Sequence, residues 1–196
     1  MVCAREEMNL LFVEWSNKQV NLFKVELITV PMVIGTATYS VPSQVVMILD
    51  AYISRNYGTP QQTDLVISPL SRTEYSSLAN KATPGQPSQF WFDRLISPTI
   101  TMYPVADASG PYTLRYYACV QMQDANLPGG ETPDIPYRWY DAFVSGLAHR
   151  FSRPYAPDLE DKRKKDAMEA WTIAATQDVE NVALSLSPTI RTYYPR

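Results

Sequence analysis

The sequence has little of what enzymes and metal proteins are built from. A single histidine in 196 residues leaves no imidazole pair, and Cys3 and Cys119 lack CxxC spacing, so no Cys/His zinc set can be assembled. Both cysteines are expected as free thiols in a reducing compartment, packed as small hydrophobes. No run of about 18 apolar residues occurs, which excludes a membrane-spanning helix. The N-terminus places Arg5-Glu6-Glu7 before Met8-Asn9-Leu10-Leu11, not the basic-then-apolar order of a signal peptide, so synthesis and assembly in the cytoplasm are expected. Positive charge is not in excess either: 17 Lys and Arg against 20 Asp and Glu give a net −3, which argues against a dedicated nucleic-acid binder. There is no GxSxG, HExxH, Walker loop or post-strand GxGxxG. No cofactor is implied.

What is plentiful is aromatic and proline. Thirteen Tyr, six Phe and four Trp suffice for a packed core, and the length fits one domain with a sizeable insertion. Sixteen prolines against seven glycines imply many strand ends and fixed connections rather than flexible linkers. Residues 3–17 read as an amphipathic helix, with Ala4, Met8, Leu11, Phe12 and Trp15 on one face. Alternation at Phe23-Val25-Leu27 marks a half-buried strand. Further strands are read at Thr36–Tyr39 with Gly35 as a hairpin turn, at Val45–Ile53, Leu65–Ile67, Gln89–Phe92, Thr99–Tyr103 and Tyr112–Val120. Ser71 and Glu74 have the capping-box spacing for a short helix over Arg72–Leu78. Close strands with short turns favour antiparallel pairing in a sandwich or small barrel.

Helix returns after Leu127-Pro-Gly-Gly130. Pro133-Asp134-Ile135-Pro136 starts a helix reaching about Arg153, with Tyr140, Phe143, Val144, Leu147 and Phe151 as its stripe; Pro154 and Pro157 break it. Asp158 caps a last helix, through about Ala183, striped by Met168, Trp171, Ala175, Val179 and Val182. The expected fold class is therefore α+β: a helical bundle over residues 1–20 and 127–186 carrying a large antiparallel β-rich insertion over 21–126. Residues 187–196 form an extended C-terminal tail.

Chemistry-bearing residues are sparse. His149 lies about 200° around the helix from Leu147, off the stripe, and reads as a polar or subunit-interface residue. Asp93 beside Trp91 and Arg94, and Asp124 near Asn126, are the carboxylates that could be paired for hydrolysis, without a local signature. Lys162-Arg163-Lys164-Lys165 is one basic run among acidic neighbours: a solvated face by default, or a contact for an acidic partner or DNA phosphate. The aromatic runs Phe90-Trp91-Phe92, Tyr112…Tyr116-Tyr117 and Tyr137…Trp139-Tyr140 fit core faces or subunit contacts.

Taken together, the order of these motifs resembles the head-to-tail adaptor family of short-tailed bacteriophages (connector or head-completion proteins). Leu10-Leu-Phe-Val-Glu-Trp15 with Val20-Asn-Leu-Phe23 is similar to its LLxEWxxxGxNLW motif, and Gly35-Thr-Ala-Thr-Tyr-Ser-Val-Pro42 to its GxxxYxLP turn. Trp91-Phe-Asp-Arg94, Tyr103-Pro-Val105 and Pro111–Tyr117 look like its central sheet; Pro133–Pro136, Gly146–Arg150 and Tyr155-Ala-Pro157 look like its final helix pair. The resemblance implies a non-enzymatic virion protein at the head–tail interface. It would form a ring, usually dodecameric, docked on the portal, meeting a tail or nozzle protein below, and extending a channel through which packaged DNA passes without sequence-specific binding. Ile190, Tyr193, Tyr194 and Arg196 are the expected portal-binding tail; Arg138, Trp139, Arg150 and Arg153 the expected subunit interface; Lys162, Arg163, Lys164 and Lys165 a charged contact surface. The alternative is a β-rich tail accessory or glycan-binding module using Trp91, and a wall hydrolase is the third reading.

Overall fold

The structure, a computed structural model, describes residues 2–18, 22–122 and 135–179. Helix α1 (Val2–Lys18) is followed by a 3₁₀ turn at Leu22–Lys24 and by β1 (Val25–Pro31), β2 (Thr38–Ser40), β3 (Val45–Arg55) and β4 (Thr63–Pro69). Then come α2 (Arg72–Ser77), β5 (Pro84–Gly85), β6 (Gln89–Asp93), β7 (Thr99–Tyr103), β8 (Val105–Ala106) and β9 (Tyr112–Val120). The 3₁₀ turns Tyr137–Trp139 and Pro157–Leu159 lead into α3 (Tyr140–Tyr155) and α4 (Glu160–Gln177).

The expected helical bundle with an insertion is not what forms. The body of the protein is a curled seven-stranded sheet, ordered β1-β9-β3-β4-β6-β7-β2. It has its own core: Ile53 and Ala51 of β3, Leu114, Tyr116 and Ala118 of β9, Phe90 of β6, and Ile100 and Met102 of β7 pack in one cluster. Residues from both halves of the sheet meet because the sheet curls over its apolar face, so the strands need no helices to bury them. The helices form a smaller layer with a separate core.

Pairing is also not antiparallel throughout. β4 pairs β6 in parallel at Ser68↔Gln89 and Pro69↔Phe90, as β5 pairs β8. The segment containing α2 is long enough to carry the chain back for a parallel return, which a tight turn cannot do. Its capping box forms as read: the Ser71 amide donates to Glu74 Oε2 at 2.7 Å, and the Glu74 amide to Ser71 Oγ at 3.2 Å. Gly35 does take a left-handed φ of 78° in a turn, but β1 and β2 do not pair across it. β1 lies on β9 and β2 on β7, at opposite ends of the strand order. In β1 the inward residues are Ile28 and Val30, while Leu27 is exposed; adjacent Leu27 and Ile28 made the alternation readable either way.

The helical layer meets the sheet at one end of the antiparallel strand pair β1–β9, where Val25 faces Cys119. Phe23, just before β1, and Met122, just after β9, belong to the helical core. There Trp15 of α1 packs on Trp139 at 5.1 Å between ring centroids, and Phe23 on Trp139 at 5.7 Å. The stripe expected for α3 is rotated. Tyr140 and Val144 are exposed, and the buried positions are Ala142, Gly146 and Ser152, the first two flanked by half-buried Phe143 and Leu147. Small residues sit inward because α1 crosses α3 closely there. A methyl built on Gly146 would lie 3.0 Å from both Leu11 methyls. Pro154 does not end α3 but sits in its last turn, where the missing N–H costs one bond. α4 ends at Gln177, before the expected Ala183; Ala183 and Val182 lie outside the described residues, as do the start signal at Pro133-Asp134 and Asp124.

Gly146→Val is expected to destabilise the chain by about 1–3 kcal/mol, because overpacking forces Leu11 or the α1–α3 crossing to move. Thermal or urea unfolding measures it; an unchanged midpoint would show the crossing to be loose.

Candidate interaction surfaces

All four residues expected at a subunit interface have partners within the chain. Trp139 has no accessible surface and is the centre of the helical core, because the 3₁₀ turn ahead of α3 turns its ring toward Trp15 and Phe23. Arg138 donates from Nη2 to Asp178 Oδ1 at 2.6 Å. Asp178, with a fully buried side chain, also accepts the Leu22 amide at 3.0 Å, so this pair ties the end of α4 to both the α3 entry and the start of the sheet. Arg150, its side chain only 12% exposed, reaches Glu7 at 3.3 Å and Glu14 at 2.7 Å and donates to the Leu10 carbonyl; it fastens α3 to α1. Arg153, 53% exposed, pairs with Glu160 at 3.3 Å, and Arg138 also keeps part of its side chain at the surface.

A feature that the sequence did not reveal lies between the helices. α1 and α4 each pack on α3 and barely touch one another, leaving a cleft of about 300 Å³ lined by Leu11, Glu14, Trp15 and Lys18 of α1, by Ala142, Gly146, His149 and Arg153 of α3, and by α4. The only available signal was the pair Ala142 and Gly146, four apart on α3. His149 sits in this cleft rather than on a solvated face, its side chain 15% exposed. Burial holds its imidazole below the ordinary value, helped by the Arg153 charge and only partly offset by Glu160 and Glu14. Glu14 is pushed up by burial, but hydrogen bonds and charge from Lys18 and Arg150 bring it below the usual carboxylate value.

The basic run lies along α4, with Lys162, Arg163, Lys164 and Lys165 all exposed. Arg163 pairs with Asp166 at 3.6 Å, while Lys164 lines the cleft. Ile190, Tyr193, Tyr194 and Arg196 lie outside the described residues. On the sheet, Trp91 is not an open sugar platform: Tyr75 of α2 stacks on it at 5.1 Å, and Asp93 is paired with Arg72 at 3.4 Å. Among the described residues no three His, Cys, Asp or Glu side chains converge to hold a metal ion, and no helix is long and apolar enough to cross a membrane. What the surface does offer is apolar side chains: Val33 and Ile34 between β1 and β2, Leu95 and Ile96 (97% exposed) between β6 and β7, Leu10 and Val13 on α1, and Met168 and Ile173 on α4.

Compared with known proteins, the chain matches the family model described as SU10 adaptor protein over residues 7–191. The chain belongs to that family. It is thus a structural adaptor of the phage head–tail interface. No curated protein matches it. For an adaptor the exposed apolar groups make sense as surface awaiting neighbours, since large apolar residues left to solvent mark contact sites.

The adaptor is expected to lose stability as pH falls below about 6.5. The unfolded chain protonates His149 near its ordinary value of 6.5, whereas the folded chain resists that proton. The unfolded state therefore binds more protons in this window, and stability declines toward acid until the lower folded value is passed. Urea unfolding from pH 7.5 downward should show this slope for the wild type and a flatter one for His149→Gln; equal slopes would contradict it.

Proposed function

We propose that this adaptor forms a ring between the portal and the tail of the phage particle, extending the DNA channel and helping to retain packaged DNA. The observation that carries the reading is the family match over residues 7–191. Two further observations support it. Exposed apolar residues occur on the helical layer and at loops of the sheet, as a subunit flanked by copies requires, because a closed ring joins two different surfaces of each copy. The chain's net charge of −3 suits a wall past which DNA slides without being held.

In this reading the partners are the portal above and a tail or nozzle protein below, and the protein acts by its surfaces rather than by catalysis. It is made in the host cytoplasm and joins filled heads there. Residues 187–196, with Ile190, Tyr193, Tyr194 and Arg196, serve in this reading as the portal anchor. Arg153 and the exposed part of the basic run lie toward neighbouring subunits.

Electron microscopy of intact particles tests the ring directly: density for this chain should form a closed ring on the portal. Density only in a fibre, or nowhere in the virion, would refute it. Chain truncated after Ser187 is expected to fold with an unchanged melting midpoint but to be absent from purified particles; incorporation at the wild-type level would refute the anchor.

A further inference from the structure

The cleft between α1 and α4 asks for an occupant. Its floor is apolar, made by Ala142 and Gly146 with Leu11 and Trp15 beside them, and three cations, Lys18, Arg153 and Lys164, line it against one carboxylate, Glu14. Glu14 is satisfied by Lys18 at 2.7 Å and by Arg150, and Glu160 answers Arg153. Lys164 has no ion pair among the described residues. Two buried nitrogens, His149 Nε2 and Trp171 Nε1, make no hydrogen bond, and an indole N–H can only donate. Lys18 over the Trp171 ring at 4.8 Å closes one end. Leu11 to Lys18 spans about 10 Å of helix axis, so the cleft accepts roughly two turns of a helix laid along it. A DNA backbone would leave the apolar floor unused and would meet Glu14.

The matching surface is on the same chain. At 100° per residue, Glu6, Leu10, Val13 and Asn17 share one side of α1, opposite the Met8–Phe12–Trp15 side that enters the core. Leu10 is 52% and Val13 42% exposed, Glu6 and Asn17 are exposed, and Glu6 has no ion pair among the described residues. This side therefore offers a carboxylate followed by two aliphatic side chains, against a cleft with a cation cluster and an apolar floor.

We propose that the outer side of α1 of one copy fills the cleft between α1 and α4 of the next, with Glu6 at the Lys164–Arg153 end and Leu10 and Val13, within the next two turns, on the floor. The contact joins two different surfaces, so it repeats from copy to copy and closes by rotation. It rests on the ring reading above for the presence of a neighbouring copy, and assigns which faces meet.

The test is a charge swap in the full-length adaptor, read as adaptor content of purified particles by quantitative mass spectrometry. Glu6→Lys and Lys164→Glu are each expected to lower incorporation at least about tenfold through like-charge repulsion; the double variant should recover to within about threefold of wild type. Both residues are exposed, so melting midpoints of the isolated variants should stay at the wild-type value, which separates a contact defect from misfolding. Singles that incorporate normally would overturn the proposal. So would a double variant as poor as the singles, which would give the cleft to another protein or to nucleic acid. Failure of the ring reading itself would show differently: wild-type particles would contain no ring.

Discussion

The packing of Trp15 against Trp139 is the contact on which the rest of the helical layer depends. A fully buried Trp contributes more apolar area than any other residue, and here two of them, with Phe23, connect α1, the entry to α3 and the start of β1. The sheet does not need this contact, because its own cluster from Val41 to Val120 is complete. The helices do: α4 adds Ala170 and Ala174 with half-buried Trp171 and Ala175 to that core, and is fastened further by the Arg138–Asp178 pair.

That arrangement explains why the helical layer has an unfilled cleft. α3 lies in the middle, and small residues at 142 and 146 draw α1 close on one side. α4 takes the other side, leaving α1 and α4 apart. A three-helix layer so arranged has two flanking helices and a floor, with no fourth member within the described chain. The same geometry sends Trp139 and Arg150 inward and brings Arg138 onto buried Asp178, where they hold the subunit together. The residues left exposed are plainer ones, Leu10, Val13 and Lys164.

Much of this was legible in the sequence. The apolar spacing of Leu11, Phe12 and Trp15 places α1 and its buried side; Ser71 and Glu74 place α2; long β-branched and aromatic runs place β3 and β9. The order of motifs gives the adaptor family. Legibility stopped where tertiary geometry overrides pattern. On α3 a periodicity count favours large apolar residues such as Tyr140 and Val144, whereas close helix crossing selects Ala142 and Gly146. Arginines near aromatics read as interface, yet a guanidinium reaches equally well to Asp178 or Glu14 of its own chain, and only the fold decides which. Sheet order is set by long-range pairing, so the parallel β4–β6 contact and the dominance of the sheet over the helices leave little local trace.

Hydrogen exchange on Trp139→Ala, compared with the wild type residue by residue, tests the two-core account most directly. Losing the indole should cost about 3–5 kcal/mol, felt as faster exchange through α1, α3 and α4 while amides of β3, β7 and β9 keep their protection. Equal loss of protection in sheet and helices would show a single cooperative core and contradict the account.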